Sequence, residues 1–304
     1  MLDGKFYQQA KLILKVLPYL YKHDCFAIKG GTAINYFLRD LPRLSVDIDI
    51  CYLPINGRDI AFQNIAEHLR SISKQISIIH PELRIINRKT KNNILYGLFI
   101  SDGKVVIKIE SNLIIRGTVF PVIKKELCDV AQTKFELTQY AHILSLADLF
   151  GGKICAALDR QHPRDLFDIQ ILLKNEGISD DTRKAFIVYL ISHHRPIAEL
   201  LEPNLKNIED VFYSEFIGMT DTNVTSKNLS ETLRSLVLIL KKSLTNEERL
   251  FLISFKKIQP EWTLLGLDNI EHLPAVNWKL NNLARMEKGK HQKAVDKLKK
   301  VLKI

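Results

Sequence analysis

Hydrophobic positions along the chain change period partway through. Residues 5–22 carry Phe6, Ala10, Ile13, Leu14, Leu17 and Leu20 at helical spacing. A short apolar run, Phe26-Ala27-Ile28, reads as a strand and leads into Gly30-Gly31. A helix is expected from Thr32 to Arg39, then a strand over 45–53 closed by Pro54 and Gly57. Residues 59–75 repeat the helical spacing through Ile60, Ile65, Leu69 and Ile72. Period-two runs follow at 83–87, 94–101 and 105–115, the last two joined by Asp102-Gly103, a strong hairpin turn. A further strand is expected near Val119 to Val122.

From Leu144 onward helical spacing dominates. Helices are expected over 145–159, with Ser145 as N-cap, and over 164–175, 180–193, 196–202, 226–242 and 245–257. Ser214 to Ser226 reads as a surface loop, and Trp262 to Trp278 as irregular. Residues 281–303 read as a basic helix whose Val295, Leu298, Val301 and Leu302 form an apolar stripe. The fold class is α+β: an N-terminal domain over 1–140 with a sheet flanked by helices, then a mainly helical domain over 141–304.

Composition adds little to this outline, but charge adds something. The 304 residues are 46% hydrophobic and 26% charged, enough for a substantial core. The net charge of +10 favours an anionic partner, nucleic acid before an acidic membrane surface. From Arg285 to Ile304 there are eight basic residues and two acidic ones. Cys25, Cys51, Cys128 and Cys155 are scattered with no CxxC pair, which fits buried free thiols in a reducing compartment. Lys11 and Lys15 interrupt the N-terminal apolar runs, and no stretch is long enough to span a bilayer. A cytoplasmic protein is expected.

Chemistry concentrates between Lys29 and Asp49. Gly30-Gly31-Thr32 at a helix start offers free backbone N–H groups and a hydroxyl, which suit phosphate. Asp47 and Asp49 lie two apart on a strand and so share a face, while Val46, Ile48 and Ile50 point to the core. Adjacent carboxylates repel unless a cation sits between them. Phosphate on one side and a divalent metal on the other equip a site for phosphoryl or nucleotidyl transfer. Glu110 shares a face with Lys108, opposite Ile107 and Ile109. It is a candidate third carboxylate, either metal ligand or general base.

In the helical half, Gly151-Gly152 in mid-helix needs a close neighbour, since Gly there costs about 1 kcal/mol relative to Ala. Lys153 is a candidate for a nucleotide's triphosphate, against an ordinary solvent-facing lysine. Arg164 at the next helix start is a candidate phosphate or bridging contact. The helix dipole suffices to explain Asp165 and Asp168. His162, His193 and His194 lack ligand spacing with other candidates and read as surface or capping residues.

These residues resemble the AbiEii/AbiGii toxin family of nucleotidyltransferases, a branch of the DNA polymerase β-like superfamily that includes the MenT-type toxins. The resemblance runs through Lys29-Gly30-Gly31-Thr32, Arg43-x-Ser45-x-Asp47-x-Asp49, the acidic strand position Glu110, and Asp148 to Lys153 with Arg164 to Asp168. The segment from Pro260-x-Trp262 through Leu273-Pro274 to Trp278 is similar to the family's C-terminal region. Thr32 stands where many superfamily members carry Ser, and the hydroxyl is kept.

The resemblance implies a polymerase β-like mixed sheet. It also implies Asp47, Asp49 and Glu110 as catalytic and Mg²⁺- or Mn²⁺-binding residues. Gly30, Gly31, Thr32, Ser45, Lys153, Arg164 and Asp165 would be nucleotide-binding. It implies a toxin of a toxin–antitoxin or phage-abortive system that moves an NMP from an NTP onto an acceptor hydroxyl, tRNA 3′ ends foremost, with a possible cognate antitoxin and no membrane partner. Transfer to a protein or small molecule, or a non-catalytic NTP- or nucleic-acid-binding role, are the alternatives.

Overall fold

The computed structural model describes residues 4–304. The chain divides into two compact units: residues 1–145 with 216–223, and residues 146–215 with 224–304. The first unit is built on helices α1 (Gly4–Tyr21), α2 (Gly30–Ala33), α3 (Arg58–Ile79) and α4 (Asp129–Phe135). Its strands are β1 (Phe26–Lys29), β2 (Ile48–Tyr52), β3 (Arg84–Lys89), β4 (Leu95–Ser101), β5 (Val106–Ser111), β6 (Ile123–Glu126) and β7 (Tyr140–Ile143).

The seven strands form one mixed sheet in the order β3-β4-β5-β2-β1-β7-β6. The pairs β2–β5 and β1–β7 are parallel and the others antiparallel. α1 and α3 pack on it, α3 against β3 and β4, α1 against β5 and β7. They bury the inward set Ile48, Ile50, Leu98, Ile100, Ile107 and Ile109, all at 1% exposure or less. The side chains between these therefore point to the opposite face. There α2 lies against β1 and β2, and the face over β3–β5 is open.

Two local departures from the sequence reading shape this unit. The expected helix from Thr32 to Arg39 is a single α-turn that widens into a π-helix over Ile34–Leu38. The expected strand near Val119 to Val122 lies just beyond, at β6. Helix α4 and strand β7 had no signal in the pattern. The segment 216–223, read as part of a surface loop, buries Phe216 and Met219 completely. Met219 accepts a backbone bond from Leu44 at 2.7 Å, and the Thr220 hydroxyl donates to the Pro42 carbonyl at 2.7 Å. With Leu41, Val130 and Lys134, this segment lines a half-open cavity of about 350 Å³.

The second unit is helical, from α5 (Leu146–Arg160), α6 (Pro163–Lys174), α7 (Asp180–Ser192), α8 (Ile197–Leu201) and α9 (Glu209–Glu215) to α10 (Ser226–Ser243), α11 (Asn246–Lys256), α12 (Pro274–Ala284) and α13 (Lys288–Leu302). Capping boxes at Thr225/Asn228 and Thr245/Glu248 start α10 and α11. The expected helix over 281–303 is two helices. Glu287 accepts from the N–H groups of Gly289 and Lys290 and so begins α13 afresh. The close neighbour expected at Gly151 is α7: a Cβ there would stand 2.7 Å from the Phe186 nitrogen. Among the described residues no helix is long and apolar enough to cross a membrane.

Candidate active site

Strand register brings the carboxylates together. β1 runs antiparallel to β2 with Lys29 opposite Asp49, and β5 runs parallel to β2 with Glu110 opposite Asp49. Asp49 and Glu110 are therefore direct neighbours on the open face, and Asp47 precedes Asp49 on the same side. Asp47, Asp49 and Glu110 are all partly exposed, while the isoleucines between them are buried.

Gly30 has φ +69°, the left-handed region that glycine enters without strain. This allows β1 to turn directly into α2. A Cβ on Gly30 would stand 2.7 Å from the Asp49 Oδ2, so no side chain fits there. A Cβ on Gly31 would meet the Arg43 guanidinium at 2.7 Å and the Ser45 Oγ at 3.0 Å. The two glycines let the chain pass within contact distance of the groups that follow in the motif.

Thr32 has no exposed surface. Its hydroxyl donates to the Asp47 carbonyl at 2.5 Å and lies 3.0 Å from the Ser45 Oγ. It thus fixes the backbone that carries Asp47. Tyr36, also fully buried, ties the same loop. Its hydroxyl donates to the Ser45 carbonyl at 2.7 Å and accepts from the Ser45 N–H at 3.0 Å. Burial pushes the Tyr36 phenol far above its ordinary range, against the pull of the Ser45 bond and Arg43, so it stays neutral.

Two cations face the carboxylates. Lys108 Nζ lies 3.5 Å from Asp47 Oδ2, and Arg88 pairs with Glu110 across Gly97. The Arg88 guanidinium also lies 4.5 Å from the Phe99 ring centre and 5.1 Å from that of Tyr96. Sequence reasoning missed Arg88 and Tyr36, and it met the buried Arg43 only as a motif position without a role. For Arg88 a signal existed: the Asp102-Gly103 hairpin pairs β4 with β5, and one further antiparallel strand puts Arg88 in Glu110's row.

The remaining sequence candidates gather in the second unit. Lys153 Nζ lies 2.9 Å from Asp165 Oδ1 and 3.0 Å from Asp168 Oδ2, with all three residues at 6% exposure or less. Arg160 closes the group with two bonds to Asp165. Burial alone would raise the Asp165 carboxyl, but Lys153 and Arg160 outweigh it and hold it far below the usual range. Arg164 points to Glu215, 3.5 Å away, and its N–H donates to the ring of His162, which caps α6. Asp148 accepts from the Tyr189 hydroxyl at 3.0 Å.

The structure also assembles a cluster that spacing did not suggest. Asp159, His193 and His194 offer ligand atoms all within 4.8 Å of one another, the one such group among the described residues. Cations crowd it, however. Arg195 pairs with Asp159 at 2.9 Å, and Lys279 donates to the His193, His194 and Arg195 carbonyls. Its surroundings favour an internal ion pair over a metal.

The set Asp47, Asp49 and Glu110 does not gather its ligand atoms within that distance, but its chemistry is one that could hold a divalent ion. Its donors are hard carboxylate oxygens, Asp49 and Glu110 on paired strands and Asp47 just before β2, and Lys108 and Arg88 supply positive charge beside them. A nucleotide-transfer site needs such carboxylates beside a close backbone approach.

Comparison with known proteins gives the family. A family model described as nucleotidyl transferase AbiEii toxin, type IV toxin–antitoxin system, matches residues 12–248. No curated protein matches the sequence. Among solved structures, MenT4, a nucleotidyltransferase toxin from Mycobacterium tuberculosis H37Rv, is similar in fold at a TM-score of 0.60 and 15% identity, covering 92% of this chain and 95% of its own. A putative nucleotidyltransferase from H. pylori aligns at a TM-score of 0.47 and 16% identity, over 80% of this chain and 97% of its own. The match over residues 12–248 and the mixed sheet carrying the site lead to one conclusion: the chain belongs to the AbiEii family of nucleotidyltransferase toxins of type IV toxin–antitoxin systems.

Proposed function

We propose that this nucleotidyltransferase moves an NMP from an NTP onto the 3′-hydroxyl of an RNA, tRNA foremost, and that a cognate antitoxin counters it. The observation that carries the reading is the in-register pair Asp49 and Glu110 on an open sheet face, with Gly30 against Asp49. The RNA acceptor rests on charge. The net charge is +10, and Lys288, Lys290, Lys293, Lys297 and Lys300 of α13 are exposed.

The acceptor oxygen attacks the α-phosphorus in line, the bond from that phosphorus to the bridging oxygen breaks, and pyrophosphate leaves. Glu110 takes the proton that the hydroxyl loses, once its pairing with Arg88 is released. Asp47 and Asp49, joined by Glu110, would hold Mg²⁺ or Mn²⁺, which supplies charge neutralisation on the phosphates. The backbone of Gly30 and Gly31 with Ser45 cradles the phosphates, and Thr32 acts by holding Asp47 in place. Lys153 and Arg164 serve as phosphate ligands only by giving up a carboxylate partner, and Asp165 then positions Lys153 rather than touching the nucleotide.

The test is incubation with each α-labelled NTP, Mg²⁺ or Mn²⁺, and total tRNA. Label on the RNA is expected. Label on the protein, or none anywhere, overturns the RNA acceptor.

A further inference from the structure

The open sheet face continues outward from the carboxylates, and it is not bare. Strand alternation builds two rows across it. One runs Arg88, Gly97, Glu110, Asp49; the next runs Ile86, Phe99, Lys108. Phe99 is 38% exposed and Ile86 49%, although the strand residues on either side of Phe99, Leu98 and Ile100, are fully buried. An aromatic ring and a branched aliphatic side chain in water on a sheet face, away from the core, mark a contact surface.

The rim of this surface is cationic. Arg84 and Lys89 lie on β3, Lys108 on β5, and the Arg88 guanidinium lies 4.5 Å from the Phe99 ring centre. Arg88 also pairs with Glu110, so one side chain links the ring to the carboxylates. Adjacent strands are about 4.8 Å apart, which puts Phe99 on β4 about 10 Å from β2 and its aspartates.

We propose that this face is a docking platform for unpaired nucleotides at the 3′ end of an RNA acceptor, with the Phe99 ring and Arg88 guanidinium as the step on which a base stacks. The inference rests on the reading that the acceptor is RNA. Aromatic rings and guanidinium planes on a sheet are the surfaces on which unpaired bases stack, and a cationic rim suits the phosphates between them. The separation from Phe99 to the aspartates suits a nucleotide just upstream of the reacting hydroxyl. A second copy of the chain would bring like charges together, so charge favours the polyanion.

Phe99 is exposed, so its replacement leaves the core intact. The experiment uses the full chain and three variants: Phe99→Ala, Phe99→Leu and Phe99→Trp. Transfer to total tRNA gives KM for RNA and for NTP separately. Anisotropy of a fluorescent single-stranded RNA, with no NTP present, gives binding alone. Phe99→Ala and Phe99→Leu each weaken RNA binding and raise the KM for tRNA on the order of tenfold, and Phe99→Trp restores both. Leucine keeps apolar bulk but has no π-face, so a wild-type Phe99→Leu overturns stacking and favours a protein partner on this face. A rise in the NTP KM instead, with RNA binding intact, also overturns it. If the wild-type protein labels no RNA, the acceptor reading fails on its own, and anisotropy still decides whether Phe99 binds RNA.

Discussion

Two groups of carboxylates and cations stand out in this protein, and burial makes them opposites. On the sheet, Lys108 approaches Asp47 at 3.5 Å with side-chain exposures of 37% and 25%. Exposed pairs of this kind contribute about 0.2–1 kcal/mol, so exchanging the partner for a ligand costs little. In the helical unit, Lys153, Asp165 and Asp168 meet within 3.0 Å and are almost wholly enclosed. Removing one partner there unbalances charges held in low dielectric, where water cannot make good the loss. The residue types are nearly the same in both groups. Exposure separates a site that can change its occupants from a lock that must keep them.

The largest effect expected is on the open group. Asp47→Ala should lower transfer by about a thousandfold or more, because on the proposed reading this carboxylate would help hold the divalent ion that neutralises the phosphates. The melting temperature should hold, since the exposed pair with Lys108 is weak and the repulsion from Asp49 is relieved. Transfer assays and a thermal melt on the same preparation check both halves. Near wild-type transfer would remove Asp47 from the chemistry.

The enclosed group should behave in reverse. Asp168→Ala should destabilise the fold by about 3–5 kcal/mol, the cost of breaking a buried pair, read as a lower urea midpoint. Lys153→Met sharpens the contrast, because it leaves Asp165 with Arg160 alone and Asp168 without the lysine. If Lys153 is also a phosphate ligand, the NTP KM rises in the folded fraction. Wild-type stability in both variants would show that enclosure is not what distinguishes the groups.

How much of this could be read in the chain follows the range of each interaction. The Gly-Gly-Thr turn, the paired aspartates and the Asp102-Gly103 hairpin are local, and the structure has each where the sequence puts it. Glu110 reaches Asp49 through a parallel pairing that no turn dictates, so only its strand face was legible. The partners of Lys153 were hidden because the helix dipole already accounted for Asp165 and Asp168. Thr32 read as a phosphate hydroxyl because nothing local shows that Asp47's carbonyl occupies it. Strand β7, four residues long, and α4, seven, are too short to establish a period. The return of 216–223 to the first unit rests on Phe216 and Met219, two anchors in an otherwise polar stretch.

His193 lies between the two extremes and yields the smallest effect. Its ring is 15% exposed and 3.5 Å from Asp159. Burial lowers its pKa to about 4, with His194, Lys279 and Arg195 adding to the shift and Asp159 opposing it. The unfolded value is about 6.5. Between these values the unfolded chain holds the extra proton, so stability is complete above pH 6.5 and falls as pH drops towards 4, by about 3 kcal/mol at most. The Asp165 carboxyl is shifted the other way relative to its charge. Its contribution is intact above about pH 4 and is lost only as pH falls further, through its depressed folded value. The two losses occupy separate windows. His193→Asn keeps an acceptor for the Arg195 N–H, which His193 Nδ1 now receives at 3.2 Å, but cannot titrate. Urea midpoints at pH 7 and pH 5 should therefore lie closer together in the variant than in the wild type, with the same behaviour in both below pH 4. An unchanged gap would mean that the ring is solvated enough to titrate as an exposed histidine does, and that its pairing with Asp159 resembles the open group rather than the enclosed one.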